Sequence, residues 1–363
     1  MSKPTIALAT NTRSEQKTQS DKLTETSQPS ASRELSVGIV GAGEIVSRIH
    51  LPVLSACSGI RIAYIADKNS AAAKAVAGSY KVGAVGVSDN RKELPHTDVV
   101  LLAVPVNARM PYYELFAERG TSVLAEKPLA LCGADAEHVC SLYPDYSLAC
   151  GFQRRSYASV AMAKLIVSKN WFGPLQSIFI SEGALTTKTG ADSRFYDDPA
   201  FGGGVLMDLG CHSLDLAIYI SGASEAIPVE QRFVYDNGID REVEARLSLR
   251  TEQGFLALDY LVTWLRPAKN SIVLRFENCT ATLSCRPSEH LEINGRGNDR
   301  IVPMPLLTMK GSGAITVYQA FYLEWMAFLD GVRNRQPSQF NALSCLPTIR
   351  AVEALYAAGR HNR

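Results

Sequence analysis

Residue types that can exchange protons are concentrated at positions 202–215. Three successive glycines there precede Asp208, His212 and Asp215, whose spacing of four and three residues places them on one face of a helix. A histidine can exchange a proton with a hydroxyl near neutral pH, and a carboxylate one turn away can orient it. The stretch therefore predicts a proton-transfer site beside a loop that approaches a ligand closely. The alternative is a helix start with capping acids and a packed histidine.

A second candidate is Lys127, which stands in the tripeptide Glu126-Lys127-Pro128 directly after an apolar run at residues 121–125. A lysine at the carboxyl end of a parallel strand points into the crevice where such sheets bind ligands. Its ammonium could stabilise a developing oxyanion there. The alternative is a solvated lysine in a turn.

A third candidate is the turn Gly41-Ala-Gly43, which follows an apolar strand at residues 36–40 and precedes a helical stretch. Glycines in such a turn let the backbone approach the pyrophosphate of a dinucleotide at the helix N-terminus. The turn alone is a weak signal, because Val46 stands where the full pattern has its third glycine. Asp67 closes the next strand and could bind the adenosine ribose, the alternative being a helix cap or a turn residue.

The elements that must position these residues alternate between strand and helix up to residue 150. Apolar, strand-like runs lie at residues 36–40, 61–66, 98–104, 121–125 and 146–150. Helical stretches lie between some of them, at 70–77 and 112–119. This alternation is typical of a doubly wound parallel sheet.

After residue 151 the pattern changes. Longer runs that alternate apolar and polar residues lie at 243–249, 254–263 and 271–276, with helical stretches at 158–168, 317–333 and 344–358. Such strands form antiparallel sheets with one face solvated or covered by a partner. We therefore predict an α/β protein, with a Rossmann doubly wound parallel sheet at residues 36–150. A C-terminal α+β domain with an open, mostly antiparallel sheet is predicted at residues 151–363.

Composition narrows the classes of function. Residues 1–35 are polar and lack aromatic side chains, which predicts a disordered tail. The net charge of +1 gives no reason to expect nucleic acid, and no apolar run approaches the ~18–20 residues of a membrane helix. The eight cysteines form no C-x-x-C pair and show no zinc-site spacing. We expect a cytoplasmic protein without a structural metal.

Taken in order, the three sites resemble the Gfo/Idh/MocA family of oxidoreductases, which includes glucose-fructose oxidoreductase and inositol 2-dehydrogenase. Residues 41–45 are similar to its nucleotide loop, residues 125–128 to its E-K-P signature, and residues 202–215 to its G-G-G-x-x-x-D-x-G-x-H-x-x-D stretch. The resemblance covers roughly residues 36–358.

The resemblance implies that Lys127, Asp208 and His212 form the catalytic set and that the cofactor is NAD, or alternatively NADP. The residues it implies at the cofactor are Gly41, Gly43, Glu44, Ile45, Asp67, Pro105, Asn107, Glu126 and Lys127. Those it implies at the substrate are Arg154, Arg155, Asp208 and His212, although either arginine could equally be a surface or interface residue. The peptide bond between Lys127 and Pro128 is expected to be cis, and Met110 stands where relatives often carry a histidine.

The implied reaction transfers a hydride between nicotinamide and a secondary hydroxyl or ketone of a sugar, cyclitol or nucleotide sugar. His212 would take the hydroxyl proton while Lys127 stabilises the oxyanion. Two alternatives remain: an NAD-dependent glycosidase that oxidises, eliminates and re-reduces on the same scaffold, and a non-enzymatic regulator that binds dinucleotide. We also expect a homodimer or homotetramer, with no membrane or nucleic-acid partner.

Overall fold

The first sheet begins where the polar N-terminal segment ends. Its strands are β1 (Leu35–Val40), β2 (Ile60–Asp67), β3 (Gly83–Gly86), β4 (Val99–Leu102), β5 (Ser122–Ala125) and β6 (Leu148–Cys150). The computed structural model describes residues 33–86, 91–186, 198, 203–288, 290–295, 302–305 and 313–360. Within them the six strands are parallel, in the order β3-β2-β1-β4-β5-β6. This is the strand order of a Rossmann sheet, so the prediction for the fold of the first half is confirmed. The predicted tail lies almost entirely outside the described residues.

The central strands of this sheet are buried on both faces. Every residue of β4 and β5 is buried, as expected when helices cover a parallel sheet on both sides. The helices of this half are α1 (Leu51–Ala56), α2 (Ser70–Tyr80), α3 (Met110–Glu118) and α4 (Gly133–Ser141). We did not predict β3 or α4 from the sequence. The first is a four-residue strand with glycine at both ends, and the second begins with glycine, so both carry weak local signals.

The second sheet is larger and mostly antiparallel. Its strands are β7 (Leu175–Gly183), β8 (Glu225–Asp236), β9 (Ile239–Thr251), β10 (Gly254–Thr263), β11 (Ser271–Phe276), β12 (Cys279–Ser284), β13 (His290–Gly295) and β14 (Val302–Pro305). The order is β14-β13-β12-β11-β7-β10-β9-β8, and among these pairs only β7 with β10 is parallel. The predicted open, mostly antiparallel sheet is therefore confirmed.

Helices cover one face of the second sheet. These are α5 (Ala158–Ser168), α6 (Cys211–Ser221) and α8 (Leu346–Arg360), which contact β12, β7 and β8 respectively. Along β9 the buried Val243, Ala245 and Leu247 alternate with the exposed Glu244 and Arg246. The alternation shows that no helix of the described chain covers the opposite face of this strand.

Helix α7 (Val317–Asn334) belongs to the core of the first sheet. Its buried Phe321 and Trp325 share one apolar cluster with Val37 and Ile39 of β1. We had assigned this helix to the second domain, because an amphipathic pattern predicts a helix without showing which sheet it covers. The division of the chain at residue 150 stays a prediction. Helix α7 follows that residue in the sequence but packs in the core of the first sheet.

Candidate active site

The predicted site residues of the first half lie along one edge of the parallel sheet. Gly41 follows β1, Asp67 ends β2, Pro105 and Asn107 follow β4, and Lys127 follows β5. Because the strands are parallel, their carboxyl ends meet at the same edge, which is where open α/β sheets bind ligands.

The glycine turn after β1 is tightly packed on one side and open on the other. Gly41 has φ +111°, and a Cβ there would lie 2.6 Å from the carbonyl oxygen of Ala103. A Cβ on Gly43 would meet no atom within 4 Å, so the space above it is open to a ligand. Val46, which replaces the third glycine, is fully buried in the core of the first sheet. The departure from the full glycine pattern is therefore accommodated by apolar packing.

Asp67, at the end of β2, contacts the glycine turn. Its Oδ2 accepts a hydrogen bond from the backbone N–H of Ala42 at 2.8 Å, and its Oδ1 accepts from the N–H of Asn69 at 2.8 Å. The residue that caps helix α2 is Asn69, not Asp67. The alternative of a helix cap therefore does not hold, whereas the bond from Asn69 is also what the alternative of a turn residue predicts. The carboxylate lies beside the glycine turn, where a ribose is expected.

Four other expected cofactor residues lie near the surface of this edge. Glu44 pairs with Arg48 at 2.7 Å in an exposed ion pair, and Ile45 is 37% exposed. Pro105 precedes a short 3-10 turn that contains the exposed Asn107. Their positions are compatible with a dinucleotide, and their contact with one stays a prediction.

Lys127 is half-buried and paired, with 14% of its side chain exposed. Its Nζ donates to the backbone oxygen of Asp208 at 2.8 Å and to Oδ1 of the same residue at 2.9 Å. Burial opposes the charged form, but the Asp208 carboxylate more than compensates and raises the pKa of Lys127 above its ordinary value. The alternative of a solvated turn lysine is therefore wrong, and the contact with Asp208 favours the ammonium form of Lys127. The expected cis bond between Lys127 and Pro128 is present.

The segment that carries Asp208 and His212 begins with a π-helical turn, Leu206–Gly210, which leads into α6. Asp240 holds its start, because its Oδ2 accepts from the N–H of Leu206 at 2.8 Å. The hydroxyl of Tyr356 donates to the other oxygen of Asp240 at 3.1 Å. Gly204 has φ +102°, and a Cβ there would lie 2.0 Å from Asp240 Oδ1. This glycine of the motif is thus required by the cap of the helix; Gly202 lies outside the described residues.

A second glycine of the motif is explained by close packing. Tyr260 of β10 donates its hydroxyl hydrogen to the carbonyl oxygen of Gly210 at 2.8 Å. A Cβ on Gly210 would lie 2.4 Å from that hydroxyl oxygen. Only glycine at this position lets the helix with His212 rest on the second sheet at the observed depth.

His212 is 7% exposed and packs edge-on against Phe152, with ring centroids 5.8 Å apart. Burial, together with the charges of Arg154 and Lys127, lowers the pKa of its imidazole well below 6.5. Its Nδ1 has no hydrogen-bond partner among the residues the structure describes. Our expectation that Asp208 orients His212 is wrong, since the carboxylate meets the Lys127 ammonium. Helical spacing shows which residues share a face, but not which partner another element supplies.

The two arginines after β6 are both engaged by acids. Arg154 Nη1 lies 2.8 Å from Glu182 Oε1. Arg155 is 1% exposed and donates to both carboxylate oxygens of Asp215, at 2.8 and 2.5 Å. Thr348 donates to Asp215 at 3.0 Å. These contacts support a structural role for Arg155, and contact of either arginine with a substrate stays a prediction.

Sequence reasoning missed three residues that hold the segment around Lys127, namely Arg109, His50 and Trp325. Arg109 donates to the carbonyl oxygens of Glu126 and Pro128, the latter at 2.6 Å. Glu126 is 9% exposed, and its Oε1 lies 2.7 Å from Nε2 of His50. Trp325 donates to the other ring nitrogen of His50 at 3.0 Å. No local motif marks these residues, because their partners are distant in the sequence.

Two other kinds of site are absent from the described residues. In the described ranges, no group of three or more His, Cys, Asp or Glu side chains is placed to hold a metal ion. No helix of the described chain has both the length and the apolar character to cross a membrane.

Comparison with known proteins identifies the family. Residues 35–152 match the family described as "Oxidoreductase family, NAD-binding Rossmann fold" (GFO_IDH_MocA), and residues 160–283 match its C-terminal domain. Together the two matches cover more than half of the chain.

The chain spans about half the length of the curated enzymes that it matches. dTDP-3,4-didehydro-2,6-dideoxy-alpha-D-glucose 3-reductase of Streptomyces violaceoruber is 27% identical over 193 residues, which is 53% of this chain and 56% of that enzyme. Inositol 2-dehydrogenase of Rhizobium meliloti is 27% identical over 190 residues, which is 51% of this chain and 54% of that enzyme.

The fold is also that of a solved relative. KijD10, a 3-ketoreductase from Actinomadura kijaniata in complex with NADP and TDP-benzene, superimposes with a TM-score of 0.75 at 18% identity. The superposition covers 90% of this chain and 98% of KijD10. The chain belongs to the Gfo/Idh/MocA oxidoreductase family and carries its NAD-binding Rossmann fold.

Proposed function

We propose that the protein transfers a hydride between a nicotinamide dinucleotide and a secondary hydroxyl or ketone of a sugar, cyclitol or nucleotide sugar. The observation that supports this most directly is the Lys127 ammonium, half-buried at the carboxyl end of β5 and paired with Asp208 at 2.9 Å. Its charge, with that of Arg154, acts on the imidazole of His212. An electrophilic group and a neutral base at the ligand edge are what alcohol oxidation requires.

The charge states of the two side chains divide their roles. The bound nicotinamide ring supplies the hydride acceptor or donor. Lys127 stabilises the negative charge that develops on the reacting oxygen, and it does not act as the base because Asp208 keeps it protonated. His212 accepts the hydroxyl proton, since burial holds its imidazole neutral. In the reduction the same two side chains act in reverse.

The cofactor we propose is NAD in preference to NADP. The open space above Gly43 leaves the backbone accessible to a pyrophosphate. The Asp67 carboxylate beside the same turn can accept hydrogen bonds from ribose hydroxyls and repels a 2′-phosphate.

The glycosidase and regulator alternatives predict different outcomes. A glycosidase of this kind regenerates its cofactor in each turnover, so it would produce no net NADH. A regulator has no need of a half-buried ammonium–carboxylate pair beside a histidine, which favours an enzyme.

The test is a thermal-shift screen of sugars, inositols and nucleotide sugars with NAD present, followed by measurement of NADH formation with each stabilising compound. A ligand at 100 times its dissociation constant stabilises by ~2.7 kcal/mol. We expect a stabilising sugar-like compound that also reduces NAD. Stabilisation with substrate cleavage and no net NADH would indicate the glycosidase, and NAD binding without turnover of any compound would indicate the regulator.

We also propose that the protein is a homodimer or homotetramer that associates through the open face of the second sheet. On that face Phe179 of β7 lies between Asp259 and Val273 in register and is 36% exposed, and Phe255 is 68% exposed. Light scattering after size exclusion should show an oligomer that Phe179→Asp dissociates. A cytoplasmic location stays a prediction.

A further inference from the structure

A chain of hydrogen bonds runs through the core beneath Lys127. His50, at the end of the π-helical turn Val46–His50, is fully buried. Its Nδ1 lies 3.0 Å from Nε1 of Trp325, and its Nε2 lies 2.7 Å from Oε1 of Glu126. These hydrogen bonds join the helix after the glycine turn to helix α7 and to the end of β5.

The directions of these hydrogen bonds follow from the indole. The Nε1–H group of a tryptophan can only donate, so His50 Nδ1 must accept with a lone pair. The histidine proton is then on Nε2, which donates to the Glu126 carboxylate. His50 in this arrangement is a neutral donor to Glu126 and not the charged half of an ion pair.

Glu126, at the other end of these hydrogen bonds, holds the backbone of Lys127. The second carboxylate oxygen of Glu126 accepts from the N–H of Lys127 at 3.1 Å. Arg109 donates to the carbonyl oxygens of Glu126 and Pro128 on either side. The peptide units that carry the ammonium are thus held from two directions.

His50 is a polar side chain in an apolar environment. Its ring packs edge-on against Phe321, with centroids 5.0 Å apart, in the apolar core of the first sheet. A polar side chain in such a core is retained at a cost unless its hydrogen bonds are complete, and both ring nitrogens of His50 have partners.

We propose that Trp325 and His50 are positioning residues, which act through Glu126 to fix the backbone of Lys127 and to link it to the helix after the glycine turn. The proposal rests on the proposed role of Lys127 in the reaction. A catalytic group must be held within roughly 0.5 Å of its productive position, and a directional hydrogen-bond chain provides this restraint.

The experiment compares Trp325→Phe with Phe321→Leu in the full-length protein. The first variant removes the indole donor and keeps an aromatic ring; the second removes packing against His50 and keeps every hydrogen bond. Hydrogen–deuterium exchange at the Lys127 amide, which needs no substrate, should be at least tenfold faster in Trp325→Phe than in Phe321→Leu. NMR of ¹⁵N-labelled histidine should show the proton of His50 on Nε2 in the unmutated protein and a mixture of tautomers in Trp325→Phe, with the His50 signals assigned by their loss in His50→Gln.

Kinetics on a substrate found in the screen provide the third measurement. We expect Trp325→Phe to lower kcat about tenfold or more while the Kd for NADH changes little. Equal exchange of the Lys127 amide in both variants, or a proton on Nδ1 of His50 in the unmutated protein, would overturn the proposal. If no substrate is found, the proposed function fails, and the exchange and NMR results still decide the positioning role.

Discussion

The Lys127 ammonium and the Asp208 carboxylate, 2.9 Å apart, join the end of β5 to the helix that carries His212. The pair neutralises a half-buried cation and favours its protonated form, so in the proposed reaction Lys127 acts by its charge and not as a base. The proton must then go to a different group, and His212 is the buried imidazole that the Lys127 charge acts on. In the proposed reaction Lys127 stabilises charge in the transition state and His212 accepts a proton. Experiments can therefore distinguish the roles of the two side chains.

We predict that Lys127→Met binds NADH normally and lowers kcat by ~10²–10³-fold. This is the usual range for loss of one preorganised group that stabilises an oxyanion, and it acts on the transition state rather than on ground-state binding. Fluorescence titration of NADH and steady-state kinetics provide the two measurements. The exposed Lys169→Met is the matched control. An unchanged kcat in Lys127→Met would remove the lysine from the mechanism.

We predict that the unmutated protein prefers NAD and that Asp67→Ala shifts the preference towards NADP by about tenfold or more, because the repulsion of a 2′-phosphate is lost. The variant should also weaken NAD binding, since Asp67 accepts a hydrogen bond from Ala42 and holds the turn. Asp67→Asn separates the two effects, because its amide oxygen can still accept that bond. Equal affinity of the unmutated protein for NADP and NAD would contradict the assignment of Asp67 to the ribose.

The fold of this protein was largely predictable because its signals are local. The apolar run of β5 and the tripeptide after it predicted that Lys127 lies at the ligand edge, and the residues of β5 are buried. Strand β3 escaped prediction because four residues with glycine at both ends carry little hydrophobic pattern. Helix α7 was predicted as a helix, but the sequence did not show which sheet it covers, since its partners in β1 lie far away in the sequence.

The site was predictable in its residue types and less so in its contacts. Asp208 and His212 share a helix, yet the partner of Asp208 comes from β5, which no spacing within the motif reveals. His50 and Trp325 meet across 275 positions and neither belongs to a motif. The sequence shows that the motif contains glycines at fixed positions, but it does not show why glycine is required there. The reasons are contacts with Asp240 and Tyr260, which are distant in the sequence.

We predict that Gly210→Ala destabilises the protein by about 1–3 kcal/mol, the usual cost of overpacking a core. The added methyl group would lie 2.4 Å from the hydroxyl oxygen of Tyr260. Tyr260→Phe removes that oxygen, so Gly210→Ala should cost less in the Tyr260→Phe background than alone. Denaturant unfolding of the two single variants and the double variant measures this coupling. Purely additive effects would mean that the contact with Tyr260 does not set the requirement for glycine.

We predict that Glu324→Gln stabilises the protein more at pH 8 than at pH 5. Glu324 is fully buried on α7, and neither of its oxygens has a hydrogen-bond partner in the described part of the chain. Burial, reinforced by the charge of Glu126, raises the pKa of its carboxyl well above the ordinary 4.5. The folded state therefore keeps a proton that the unfolded chain releases above about pH 4.5, so this group's contribution to stability falls as the pH rises towards its folded pKa.

Glutamine resembles the protonated acid and cannot release a proton, so the variant should lack this dependence. Thermal or urea unfolding at the two pH values measures the difference. The matched control is Asp330→Asn on the exposed side of the same helix, which should shift stability about equally at both. An equal effect of Glu324→Gln at pH 5 and pH 8 would show that Glu324 is not held protonated by its surroundings.

The final prediction concerns His212 and the pH dependence of the oxidation. An unperturbed histidine would give a limb near neutrality, but burial and the charges of Arg154 and Lys127 lower the pKa of this imidazole well below 6.5. The base is then already neutral at pH 7, so kcat/KM, which reports the free enzyme, should be flat through neutrality and fall only on the acidic side.

His212→Asn should lower kcat by ~10²–10⁴-fold, the range for a general acid–base group, and should abolish the acidic limb. The exposed His96→Asn controls for the loss of a histidine and should leave both unchanged. A limb centred near pH 7 in the unmutated protein would mean that the neighbouring charges do not act on His212 as its position requires. Persistence of both rate and limb in His212→Asn would make His212 a packed histidine and leave water as the proton acceptor, since Lys127 is already protonated.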